Sequence, residues 1–85
     1  MANIEIYTTR TCPFCIRAKA LLDKKNVSYT EHDVSGDPEA RALMTKRAGG
    51  ATSVPQIFVN DALLSGGCDG LYMRDANDEL DALLK

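Results

Sequence analysis

In the stretch TCPFC, residues 11–15, Cys12 and Cys15 stand three apart with Pro13 and Phe14 between them. Cysteines at this spacing serve thiol–disulfide exchange, or form half of a metal site. A closed zinc site needs about four ligands, and the other cysteine and the one histidine, Cys68 and His32, are single residues far away in the chain. No metal is expected. Two inert buried thiols remain the bland reading, and position in the chain weighs against it. The apolar stripe Phe14, Ala18, Leu21 and Leu22 falls at i, i+4, i+7 and i+8, the spacing of one helix face. Cys12 then occupies the N-cap of that helix and Pro13 its first position, where a missing amide costs nothing. Unpaired first-turn amides and the helix dipole favour a thiolate at such a cap, so Cys12 is the expected nucleophile. Side chains three apart on a helix lie about 5–6 Å from each other, within disulfide reach. Cys15, deeper on the helix, is the expected resolving thiol, with the higher pKa.

The elements that must hold this pair follow from periodicity. IEIYT, residues 4–8, alternates as a strand does. VSYTEHDV, residues 27–34, is rich in β-formers and ends at Ser35-Gly36. Asp37-Pro38-Glu39 reads as cap, first position and acidic first turn of a second helix. Leu43 and Met44 would face inward there, and Lys46 and Arg47 would close the helix before Gly49-Gly50. QIFVN (56–60) and ALLS (62–65) form an expected hairpin through Asn60-Asp61. A helix over CDGLYMRD and an amphipathic end with Leu80, Leu83 and Leu84 on one face complete the chain. The predicted order is β-α-β-α-β-β-α, an α/β class with a four-stranded mixed sheet flanked by helices.

Composition bounds the rest. Eighty-five residues suffice for one domain, spanning 1–85. An apolar fraction of 45% and a charged fraction of 26% are ordinary for a folded soluble chain. The net charge of -2, with acids and bases interspersed, offers no field for a phosphate backbone, so nucleic acid is not an expected partner. No run approaches the roughly 20 apolar residues that span a bilayer, and MANIEIYTTR lacks the apolar core of a secretory signal. No membrane partner is expected, and the expected address is the cytoplasm.

TCPFC after a first strand, TSVP (52–55) before the third, and GGCDG (66–70) before a helix occur here in one order. With these three motifs the chain resembles the glutaredoxins, of the small bacterial dithiol type, over essentially its whole length. The resemblance implies a thioredoxin-like fold and a glutathione–disulfide oxidoreductase that reduces protein disulfides and glutathione mixed disulfides. It implies Cys12 as nucleophile, Cys15 as resolving cysteine, a cis peptide at Val54-Pro55, and glutathione as reducing co-substrate. The residues it points to for glutathione are Arg10, Phe14, Ser53, Val54, Pro55, Gly67, Cys68 and Asp69. The backbone of Val54 would pair with the cysteine of glutathione. The amides of Cys68 and Asp69 would hold the γ-glutamyl carboxylate, and the Asp69 carboxylate the ammonium. The glycyl carboxylate would turn to Arg10 or Arg47. Three places depart from the family pattern: Thr9 and Arg10 stand where many members carry a lysine, Gly70 where many dithiol members carry an acid, and AGGAT (48–52) is a glycine-rich stretch ahead of TSVP. Implied partners are disulfide-containing or glutathionylated proteins and, indirectly, glutathione reductase, with the protein itself a monomer. Two alternatives stay open: a dimer carrying an iron–sulfur cluster through Cys12 and glutathione, which Pro13 and Cys15 oppose, and a reductant fed by a thioredoxin reductase.

Overall fold

A computed structural model describes residues 2–84. In chain order it contains β1 (Ile4–Thr8), α1 (Pro13–Lys24), β2 (Thr30–Asp33), α2 (Pro38–Arg47), β3 (Gln56–Val59), β4 (Ala62–Leu64), α3 (Gly67–Ala76) and α4 (Leu80–Leu84). The strands lie in the order β2-β1-β3-β4, with β1 parallel to β2, and β3 antiparallel to both β1 and β4. This is the expected mixed sheet flanked by helices. The C-terminal region holds two helices rather than one, because Asn77 caps α3 and Asp78 then turns through a left-handed φ of 59°. The second strand is shorter than its composition suggested: residues 27–29 reach the sheet only as the approach to β2, and Val27 and Tyr29 pack against the core.

Both faces of the sheet are covered. On one, Ile4, Ile6, Ile57 and Val59 pack with Ala18, Leu21 and Leu22 of α1, Leu71 of α3, and Leu80 and Leu84 of α4. On the other, Tyr7, Val34 and Phe58 meet Met44 and Ala48 at the end of α2. Helix α2 is therefore thinly anchored. Leu43, expected inside, is 53% exposed, and Met44 alone among the α2 residues is buried. What fills the second interface is polar: Arg47 lies over the Phe58 ring at 4.1 Å and gives two hydrogen bonds to Glu5, at 3.0 and 3.1 Å, and one to Tyr7 Oη at 2.7 Å. His32 joins them, 3.0 Å from Glu5 and tilted against Tyr7 with ring centroids 4.7 Å apart. Leu83 also departs from the expected apolar face, being partly exposed beside the buried Leu80 and Leu84.

Helix ends follow the expected chemistry. Asp37 Oδ1 accepts from the Ala40 amide at 3.1 Å with Pro38 at the first position. Asn26, at φ 57°, takes the left-handed position just beyond α1.

Candidate active site

The sheet register brings three loops to one end. Tyr7 pairs with Gln56 and Ile57 with Leu64, so the end of β1, the start of β3 and the end of β4 share an edge of the molecule. Residues 9–12 leave β1 there, Ser53-Val54-Pro55 arrive there, and Ser65-Gly66-Gly67 depart from there. The three motifs, far apart in sequence, become neighbours through antiparallel pairing.

Cys12 is the N-cap of α1, with φ −93° and ψ 107°. Its Sγ accepts from the Cys15 amide at 3.1 Å and lies 3.8 Å from the Val54 carbonyl oxygen. A cap is normally an oxygen; here a sulfur holds the place. Cys12 retains 9% exposure against 1% for Cys15. Burial, followed by the hydrogen bond to Cys12, pushes the Cys15 thiol up to about 12. The two thiols are thus separated by depth. Cys68, also buried, has its thiol pushed up by burial. All three cysteines are free thiols.

The peptide Val54-Pro55 is cis, as the resemblance implies. Beside it runs a groove of about 380 Å³, a size suited to a small ligand, lined by Phe14, Ser53, Val54, Pro55, Gly67, Cys68 and Asp69, and also by Ala51, Gln56, Leu63, Ser65 and Gly66. Phe14 was expected to face the core. Instead it is 51% exposed, because Cys15, Ala18, Leu21 and Leu22 set the buried face of α1 and turn Phe14 toward the groove. At the opposite wall α3 begins on Gly66, at φ 93°, without a side-chain cap. Its first intrahelical bond runs from the Gly70 amide to the Gly66 carbonyl, 3.0 Å, which leaves first-turn amides available at the groove. Gly67, at φ 57°, sits so near the cis proline that an added Cβ would lie 3.1 Å from the Pro55 carbonyl oxygen.

Two expected cations fall elsewhere. Arg10 is outside the groove lining; its amide donates to Ser35 Oγ at 2.9 Å and its side chain, 79% exposed, has one contact, to Asp33 at 3.5 Å. Arg47 is occupied by Glu5 and Tyr7, beneath the opposite face. Sequence reading did not single out Gln56, buried with its Nε2 donating to the Ser53 carbonyl at 2.9 Å, nor Ser65 and Leu63. Their signal was only position: Gln56 directly follows TSVP, Ser65 directly precedes GGCDG, and Leu63 lies two residues before Ser65 on the same strand run. Among the described residues no cluster of three or more histidine, cysteine or acidic side chains could hold a metal ion, and no helix is long and apolar enough to cross a membrane.

The glutaredoxin family model matches residues 4–64. Glutaredoxin 3 of Escherichia coli is 56% identical over 85 residues, covering all of both chains. A probable glutaredoxin of Synechocystis is 55% identical over 83 residues, 98% of this chain and 75% of its own. The solution structure of a glutaredoxin from Brucella melitensis superposes with a TM-score of 0.85 at 46% identity, covering all of this chain and 90% of that one.

Proposed function

The chain belongs to the glutaredoxin family, with the thioredoxin-like fold and the thiol–disulfide oxidoreductase chemistry of that family, and from this premise we propose that it is a glutathione-dependent dithiol reductase working through Cys12 and Cys15. The observation that carries the reading is the pairing of a capped, partly accessible Cys12 with a deeper Cys15, next to a groove bounded by Val54-Pro55 and the start of α3.

With a glutathionylated protein, the Cys12 thiolate attacks the glutathione sulfur. A Cys12–glutathione disulfide forms, the protein–glutathione disulfide breaks, and the protein leaves as a thiolate that takes a proton from water. A second glutathione thiolate then attacks the glutathione sulfur of the mixed disulfide, giving oxidised glutathione and restoring Cys12. With a protein disulfide, Cys12 forms a mixed disulfide with one protein sulfur. Cys15 loses its proton and attacks Cys12 Sγ, releasing the second protein thiol; the Cys12–Cys15 disulfide is then reduced by two glutathiones in turn.

The groove suits the tripeptide in this scheme. Backbone at Val54 pairs with its cysteine, the amides of Cys68 and Asp69 take its γ-glutamyl carboxylate, and the Asp69 carboxylate takes its ammonium. Phe14, Ser53, Pro55 and Gly67 supply the walls. Arg10, exposed and loosely held, is the cation free to swing to the glycyl carboxylate. The chemistry needs a pool of reduced glutathione, which the cytoplasm supplies; in this reading the protein acts there as a monomer on disulfide-containing and glutathionylated proteins.

The test is glutathione-dependent reduction of a glutathionylated peptide by the wild type, Cys12→Ser and Cys15→Ser. Loss with Cys12→Ser and retention with Cys15→Ser is the expected result. An inactive wild type that still reduces protein disulfides when coupled to a thioredoxin reductase would sink the glutathione reading, and a coloured, cluster-bearing dimer would move the function to cluster transfer.

A further inference from the structure

Gly70 and Arg74 stand one turn apart on α3 and meet the same partner. Arg74 Nη1 donates to the Ser65 carbonyl at 2.9 Å, and Nη2 to Ser65 Oγ at 3.4 Å. The guanidinium reaches that carbonyl past a residue with no side chain: a Cβ on Gly70 would overlap the Ser65 carbonyl and lie 2.9 Å from Arg74 Nη1. The Gly70 amide meanwhile holds the Gly66 carbonyl at 3.0 Å. The peptide units on both sides of Gly66 are therefore fixed from within α3. They need fixing, because Gly66 and Gly67, at φ 93° and 57°, have the widest backbone freedom of any residue type, and their placement sets where the first-turn amides of α3 point.

We propose that Arg74 is a positioning residue for the glutathione subsite: admitted by the bare Gly70, its guanidinium clamps Ser65 and so aims the amides of Cys68 and Asp69 at the γ-glutamyl carboxylate. The inference rests on the glutathione reading above. It also accounts for the departure at position 70. The acidic side chain common there among dithiol members is sterically incompatible with this clamp, so Gly70 and Arg74 function as a pair.

The experiment is steady-state reduction of a glutathionylated peptide at saturating glutathione by the wild type, Arg74→Ala, Arg74→Lys, Gly70→Ala and the Gly70→Ala/Arg74→Ala double variant, with thermal melts of each. Arg74→Ala should raise KM for the peptide about 3- to 10-fold while kcat stays within about twofold. Lysine, a single-point donor, should restore part of the loss. Gly70→Ala should raise KM similarly, and the double variant should be no worse than Gly70→Ala, since both break one contact. An active wild type with KM unchanged in Arg74→Ala, whether or not its melting point falls, refutes the clamp and leaves the glutathione reading standing; so do additive effects in the double variant. A wild type that does not turn over the glutathionylated peptide removes both.

Discussion

Cys12 and Cys15 have the same side chain and differ in what surrounds it. Cys12 Sγ accepts from one first-turn amide and keeps 9% exposure; Cys15 lies one helical turn further in, at 1% exposure, with its thiol pushed up to about 12 mainly by burial. A thiol that far above neutral pH is a thiolate only in trace, and that trace grows tenfold for each pH unit below its pKa. The step that depends on Cys15, closure of the Cys12–Cys15 disulfide, should therefore accelerate about tenfold per pH unit between pH 7 and 9. Stopped-flow release of the second thiol from a protein disulfide would measure it. A rate flat across that range would mean that a base takes the proton or that a different step limits.

At the scale of elements, α2 is held to the sheet by few apolar contacts and by the Arg47–Glu5–Tyr7 cluster. The Arg47 guanidinium, through its hydrogen bonds, holds the Glu5 carboxyl below its ordinary range. A carboxylate whose folded pKa is depressed stabilises the fold above its unfolded pKa, about 4.3, and that contribution is lost as pH falls through the folded value. Arg47→Ala should cost about 1–3 kcal/mol at pH 7 by leaving the Glu5 carboxylate, in a largely covered site, with His32 as its remaining partner. The gap between wild type and variant should narrow as pH falls below about 4. Urea unfolding at pH 7 and pH 3 reads both; a gap independent of pH would assign the loss to the stacking of Arg47 on Phe58 instead.

Across the whole molecule, reactive groups and stabilising groups are separated. The three loops of the site share one end of the sheet, while α4 closes the core with Leu80 and Leu84, and Lys25 ties α1 to Asp75 at 2.6 Å and to Asp81 at 3.1 Å. Leu80 is fully buried and its truncation to Ala should cost about 2–5 kcal/mol. The variant should unfold at lower urea yet keep the wild-type KM for a glutathionylated peptide as long as it is folded. A raised KM at equal folded fraction would show that α4 packing reaches the site.

Much of this was written in local order. Cap, proline and stripe placed Cys12 and Cys15 on α1 before any contact was known, because N-cap chemistry and helical period are properties of neighbouring residues. The strands and the start of α2 were legible for the same reason. What the chain alone left open was every choice made by distant partners. Phe14 fits the same stripe as Leu21, and only the packing of Cys15 and Ala18 against the sheet turned it outward. Leu43 and Met44 are both apolar, and the position of β1 and β3 decided which is buried. Arg10 and Arg47 are both anion donors on paper, Arg47 the weaker because it also suits a helix C-terminus; Glu5, 42 residues away, engaged Arg47 and left Arg10 in solvent. Gly70 was visible as an oddity, but its reason required the Ser65 carbonyl and Arg74 to meet over it, since steric exclusion between residues exists only once a fold has brought them together.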